Sequence, residues 1–168
     1  MMDQRQLWDI SAPVHSHSPA YPGDTPYQQV WEARIGPECP VNLSTVRMSP
    51  HVGTHADAPL HYDTQGQAMG KVDLQPYLGR CRVIHAIGCA PLIEWAHIAH
   101  AITPDLPPRV LVRTWAQQPT GWVDDFAGFA PDTIARLAEL AVERLGQDTP
   151  SVGPLPAAGL ARQLLVRA

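Results

Sequence analysis

From Ser49 to His61 the chain reads Ser-Pro-His-Val-Gly-Thr-His-Ala-Asp-Ala-Pro-Leu-His, which puts three of its eight histidines and one aspartate between positions 51 and 61. Imidazole nitrogen and carboxylate oxygen are preferred ligands of zinc. A catalytic zinc takes three of them and keeps a coordination position open. His51, His55 and Asp57 can supply those three. An ion so held polarises a carbonyl and lowers the pKa of its water to about 7, which is what hydrolysis of an unactivated amide needs. His61 is then left to move the proton, because the ordinary pKa of histidine suits that task near neutrality.

The spacing constrains the backbone that presents these groups. All four positions are odd, so an extended segment with period two would project them to one side. At about 100° per residue a helix would keep His51 with His55 and swing Asp57 and His61 away. Pro50, Gly53 and Pro59 argue against a helix as well. The expectation is strand and loop converging on a point. Taken singly, each histidine reads as a surface or core residue near a turn. Their clustering selects the metal or catalytic reading. Elsewhere His15 and His17 read as solvated and His85 as packed within a strand. His97 and His100 could share one helix face, and Asp24 and Asp148 read as turn or strand-end residues.

Short β-branched or aromatic segments bounded by Pro and Gly predict strands at Leu7 to Ser11, Gln28 to Ile35, Leu43 to Met48, Cys81 to Ile87 and Arg109 to Thr114. Tyr21-Pro-Gly-Asp-Thr-Pro26 must be a turn or an ordered loop. Pro91 to Ile102 has weak helical patterning. The clear helix is Pro131 to Leu145, with Pro131 in the first turn, Asp132 on the dipole, and Ile134, Leu137, Ala138, Ala141 and Leu145 at helical spacing. The fold class is mixed α/β and rich in β, and the eighteen scattered prolines favour loops over long helices. One domain over residues 1–153 is followed by a tail of different character at 154–168.

The 168 residues carry a formal charge of −4 with no basic cluster, so nucleic acid and anionic membranes are not expected partners. No apolar run approaches the roughly 20 residues that span a bilayer, and the start MMDQRQLWDIS has no apolar signal core, which predicts a cytoplasmic protein. Cys39, Cys81 and Cys89 form no Cys-x-x-Cys pair and read as buried small hydrophobes.

His51-x-Gly53-Thr54-His55-x-Asp57-x-Pro59-x-His61 resembles the defining motif of the metal-dependent cyclase family, in particular its bacterial kynurenine formamidases (arylformamidases). Further stretches resemble that group in order. They are Leu7-Trp8-Asp9-Ile10-Ser11, Tyr21-Pro22-Gly23-Asp24, Tyr77-Leu78-Gly79-Arg80, Pro107-Pro108-Arg109, Ala130-Pro131-Asp132-Thr133 and Asp148-Thr149-Pro150-Ser151, so the likeness covers about residues 7–153. The resemblance implies a swivelling β/β/α-type domain, a homodimer, two zinc ions per subunit, and hydrolysis of the small molecule N-formyl-L-kynurenine to L-kynurenine and formate in tryptophan catabolism. It implies metal binding by His51, His55 and Asp57, with Asp57 bridging, and proton transfer by His61. Tyr21 stands where the family has a Trp that contacts the aromatic substrate. Members continue beyond the Asp-Thr-Pro-Ser stretch into a segment that supplies late strands and a further His and Glu to the metal site. Here no His follows His100 and no acidic residue follows Asp148, so one half-site is visible. Two alternatives accompany the formamidase expectation: an impaired, shortened member, and a relative acting on another amide or lactone.

Overall fold

The computed structural model describes residues 8–153 of the chain. The expected tail at 154–168, and Leu7 of the first expected strand, lie outside the described residues. The described residues form two compact units, 8–56 with 120–122 and 57–119 with 123–153.

In the first unit, β1 (Gln28–Ala33) and β2 (Leu43–Arg47) form an antiparallel hairpin. The register runs from Gln28 opposite Arg47 to Ala33 opposite Leu43, with an irregularity between Trp31 and Ala33. The amide of Gln29 donates to the Ser44 hydroxyl across the pair at 2.9 Å. Residues 8–11 form no strand. Asp9 accepts the Ser11 N–H at 3.1 Å, a local bond that competes with sheet pairing. The Tyr21 carbonyl accepts the Asp24 N–H at 2.9 Å, with Pro22 next and Gly23 at φ +91. This is the arrangement of a type II turn, whose third position favours glycine.

The second unit is a three-stranded parallel sheet in the order β3 (Arg82–His85), β5 (Arg109–Arg113), β7 (Arg144–Gln147). Parallel neighbours need crossover connections, and helices supply them. The first holds β4 (Leu92–Ile93) and α1 (Trp95–Ile98); the second holds β6 (Gly128–Phe129) and α2 (Pro131–Glu139). Strands β4 and β6 pair in parallel with each other. The core of this unit gathers Ile84, Ile93, Ile98, Val110, Val112, Phe129, Ile134 and Leu137, all essentially fully buried. Val110 and Val112 are buried as the apolar run of β5 predicts, with Leu111 between them half-buried. Among the described residues the architecture is mixed α/β.

Helix α2 ends earlier than its apolar periodicity predicts. The Val142 N–H donates to the Leu137 carbonyl at 3.0 Å and the Ala141 N–H to the Ala138 carbonyl at 3.0 Å, with Ala141 at φ +59. That pair of bonds is a Schellman motif closed by a residue in the left-handed region. Beyond it the chain turns into β7, where Leu145 lies opposite Val110. Ala141 and Leu145 therefore leave the helix. His85 and Cys81 are exposed and Cys39 is half-exposed, against the expectation of packing, while Cys89 is buried and its burial pushes the thiol up.

Candidate metal centre

The segment from His51 to His61 is neither helix nor continuous strand. The Val52 N–H donates to the Ser49 carbonyl at 3.1 Å, closing a turn around His51. Gly53 then takes φ +77, and a Cβ there would stand 2.5 Å from the Val14 side chain, so both conformation and space demand glycine. Residues 55–58 have no regular structure, and Pro59 opens a 3₁₀ turn, Pro59–His61, at a position where its missing N–H costs nothing. The period-two expectation for this backbone is thus replaced by a turn, a glycine reversal and a second turn.

Those bends nevertheless bring the groups together. One ligand atom from each of His51, Asp57 and His61 lies within 4.8 Å of the others. His55 stands beside His51, its Nε2 3.1 Å from Nδ1 of His51 and its Nδ1 2.8 Å from the Gly53 carbonyl oxygen. A carbonyl accepts only, so Nδ1 of His55 carries the proton and its Nε2 offers a lone pair, the form that ligates a metal. The donor to that lone pair is then Nδ1–H of His51. Two nitrogens on a tetrahedral ion at bonds of about 2.0–2.1 Å would stand roughly 3.3 Å apart. Nδ1 of His51 and Nε2 of His55 are already 3.1 Å apart, and Nδ1 of His51 would give up its proton to bind. The chemistry and the spacing of these donors fit a divalent ion.

Neighbouring residues hold this set in place. Tyr62 donates its hydroxyl to Oδ2 of Asp57 at 2.6 Å, and its ring meets that of His61 edge-on at 4.5 Å. No sequence pattern marks Tyr62 for this role: a tyrosine five residues beyond the aspartate means nothing until the 3₁₀ turn folds it back. Within the hairpin unit, the His51 N–H donates to the Ser49 hydroxyl oxygen at 3.2 Å, and the Ser49 N–H to the Thr25 carbonyl at 2.9 Å. Asp24 joins them. The Ser49 hydroxyl, then the Thr25 N–H at 2.8 Å and the nearby His51, hold its carboxyl below the usual carboxylate range. Asp24 is thus a turn former, as expected, and also a link to His51. Tyr21, in the same turn, is exposed and meets the Trp122 ring edge-on at 5.2 Å.

His15 and His17 are exposed, as expected. Nδ1 of His97 accepts the Glu94 N–H at 3.0 Å in a capping box, which gives that histidine a structural use. Asp148 sits just past β7 and accepts from the Thr114 and Trp115 N–H groups and the Thr114 hydroxyl at 2.8–3.1 Å, binding the ends of two strands.

The family model described as "Putative cyclase" matches residues 8–154, and the chain belongs to this family. Within it, the chain is 57% identical to a kynurenine formamidase of Paracidovorax citrulli over 171 residues, covering 99% of this chain and 79% of the relative. It is 55% identical to the enzyme of the same name from Delftia acidovorans, covering 97% and 78% of the two chains. For that of Bordetella pertussis the identity is 56%, covering 89% and 72%. Two solved structures share the fold at 22% identity. One, described as a potential metal-dependent hydrolase with cyclase activity, superposes with a TM-score of 0.79 over 95% of this chain and 76% of its own. The other, described as a predicted metal-dependent hydrolase from Bacillus stearothermophilus, superposes with 0.73 over 95% and 77%.

Proposed function

We propose that this chain is a metal-dependent hydrolase that converts N-formyl-L-kynurenine and water to L-kynurenine and formate. The observation that carries this is the gathering of His51, Asp57 and His61 within 4.8 Å, in a chain more than half identical to proteins named kynurenine formamidase. His51, His55 and Asp57 would hold the ion, with zinc the best match to two imidazoles and a carboxylate. A divalent ion there supplies Lewis acidity toward the formyl carbonyl and makes water a competent nucleophile near neutral pH. Tyr62 fixes one oxygen of Asp57, and Gly53 fixes the tautomer of His55.

The arylamine is a poor leaving group until its nitrogen is protonated. His61 takes a proton as the water oxygen adds to the formyl carbon and returns it to the aryl nitrogen as the C–N bond breaks. Tyr21 offers a ring face to the aromatic part of the substrate. A second reading has its own support, because the compact cluster contains His61 rather than His55. In that reading His61 is a ligand.

Elemental analysis of the zinc-loaded protein, with an assay for kynurenine release, tests both. Replacing His61 with Ala keeps the metal and lowers kcat by about 10²–10⁴-fold if His61 moves the proton. Loss of metal from that variant would favour His61 as a ligand. A zinc-loaded wild-type protein that releases no kynurenine overturns the formamidase assignment. The further expectations are a homodimer, supported by the exposed Val30, Trp31, Leu43 and Val46 of the hairpin, and a cytoplasmic location. No helix among the described residues is long and apolar enough to cross a membrane. Sedimentation of the purified chain checks the dimer.

A further inference from the structure

We infer that Trp122 is a specificity-determining residue that, with Tyr21, builds the wall against which the aryl ring of an arylformamide rests. The inference rests on the formamidase reading and assigns part of its selectivity to a residue far along the chain from Tyr21. Residues 120–122 are a short piece of distant chain that belongs to the unit holding the hairpin, the Tyr21 turn and His51. Its half-buried indole meets the Tyr21 ring with centroids 5.2 Å apart and planes at 80°, the edge-to-face geometry that aromatic pairs favour. Two rings at a right angle make a corner. Tyr21 is 51% exposed, and a third aromatic group would pack on that accessible part.

That corner is tied to the candidate metal ligands of its own unit. The Tyr21 carbonyl holds Asp24 in the turn, Asp24 bonds the Ser49 hydroxyl, and that hydroxyl accepts the N–H of His51. Displacing the Tyr21 ring therefore affects aryl recognition, while the polar chain from Asp24 to His51 is made of other atoms. Trp122 acts on the orientation of the Tyr21 ring and offers its own edge to the substrate. It has no part in proton transfer.

The test compares N-formylkynurenine with an aliphatic N-formylamine on zinc-loaded wild type, W122F and W122L. Leucine fills space without a ring, and phenylalanine keeps one. For W122L the KM for the aryl substrate should rise roughly 5–10-fold, the scale of one or two aromatic contacts, with kcat within about twofold and the aliphatic substrate unaffected. W122F should keep most of the aryl preference. Equal losses on both substrates, or an unchanged aryl preference in W122L, would overturn the role of Trp122. A wild type that prefers aryl substrates while W122L does so equally separates that failure from failure of the formamidase reading. Wild-type protein inert toward both formamides removes the formamidase reading and this inference with it.

Discussion

The unit built on the parallel sheet and the unit built on the hairpin are held by different forces. The first packs Ile84, Ile93, Val110, Val112, Phe129 and Leu137 into one apolar cluster. Among the described residues of the second, Val52 is the one buried apolar side chain, while Val30, Trp31, Leu43 and Val46 of its hairpin are exposed. A two-stranded hairpin alone is marginal in water. The ordering around His51 comes instead from turns and polar bonds: Gly23 and Gly53 at positive φ, Ser49 bonded to His51 and Thr25, and His55 bonded to Gly53. Such contacts position the candidate ligands while contributing little burial. Chemistry and stability should therefore respond to different substitutions, and a substitution that moved both would break that separation.

The largest effect belongs to His51. His51→Ala removes a proposed ligand and the partner of His55. Turnover should fall by at least about 10³-fold and metal affinity with it, because the electrostatic stabilisation of the developing oxyanion goes too. The melting temperature of the metal-free protein should stay within about 2 °C, because an exposed or half-buried imidazole contributes little packing. A collapse in metal-free melting temperature would show that the polar segment holds the fold, and the separation would fail. Phe129→Ala is the converse. It empties a fully buried ring position in β6 and should cost about 3–5 kcal/mol by denaturant titration. Metal stoichiometry in the protein that remains folded should not change.

The same separation explains what the sequence disclosed. The candidate cluster is legible because its His and Asp residues crowd into one short stretch, and the β5 run is legible because Val110-Leu111-Val112 has one favourable use. The path of the backbone through the site is not. A turn closed by Val52 and Ser49 and a glycine reversal at Gly53 gather the same side chains that an extended strand would have aligned. Tyr62 on Asp57 depends on the 3₁₀ turn between them, and Trp122 on Tyr21 depends on tertiary folding, so neither spacing carries a signal. The end of α2 was hidden for another reason. Its periodicity runs on through residues that β7 uses, and no glycine marks the stop.

A smaller effect is expected at Asp148, whose carboxylate takes donors from Thr114 and Trp115 and so ties the end of β7 to that of β5. Asp148→Asn keeps the shape but loses the charge and turns one acceptor into a donor facing N–H groups. The cost should be about 1.5–3 kcal/mol, the range for hydrogen bonds to a charged partner. Turnover per folded molecule should change less than about threefold. A larger loss of turnover would mean that the sheet edge and the metal centre are coupled.

The smallest prediction has the opposite sign. Ala141 closes the Schellman motif at φ +59, where its Cβ crowds the following carbonyl, and glycine would not. Glycine also gains freedom in the unfolded chain, which costs about 0.5–1 kcal/mol and offsets part of the relief. The strain of an L-residue in this region, roughly 1–2 kcal/mol, outweighs that cost, so Ala141→Gly should stabilise by about 0.5–1 kcal/mol. Val142 and Leu137, both buried, keep the apolar contact that accompanies the motif. Chemical denaturation of the metal-free protein reads the change, and the midpoint should move up with the slope unaltered. Destabilisation would mean that Ala141 makes packing contacts worth more than its strain. Altered turnover would place the helix end in communication with His51, which is where the separation of the two regions would finally give way.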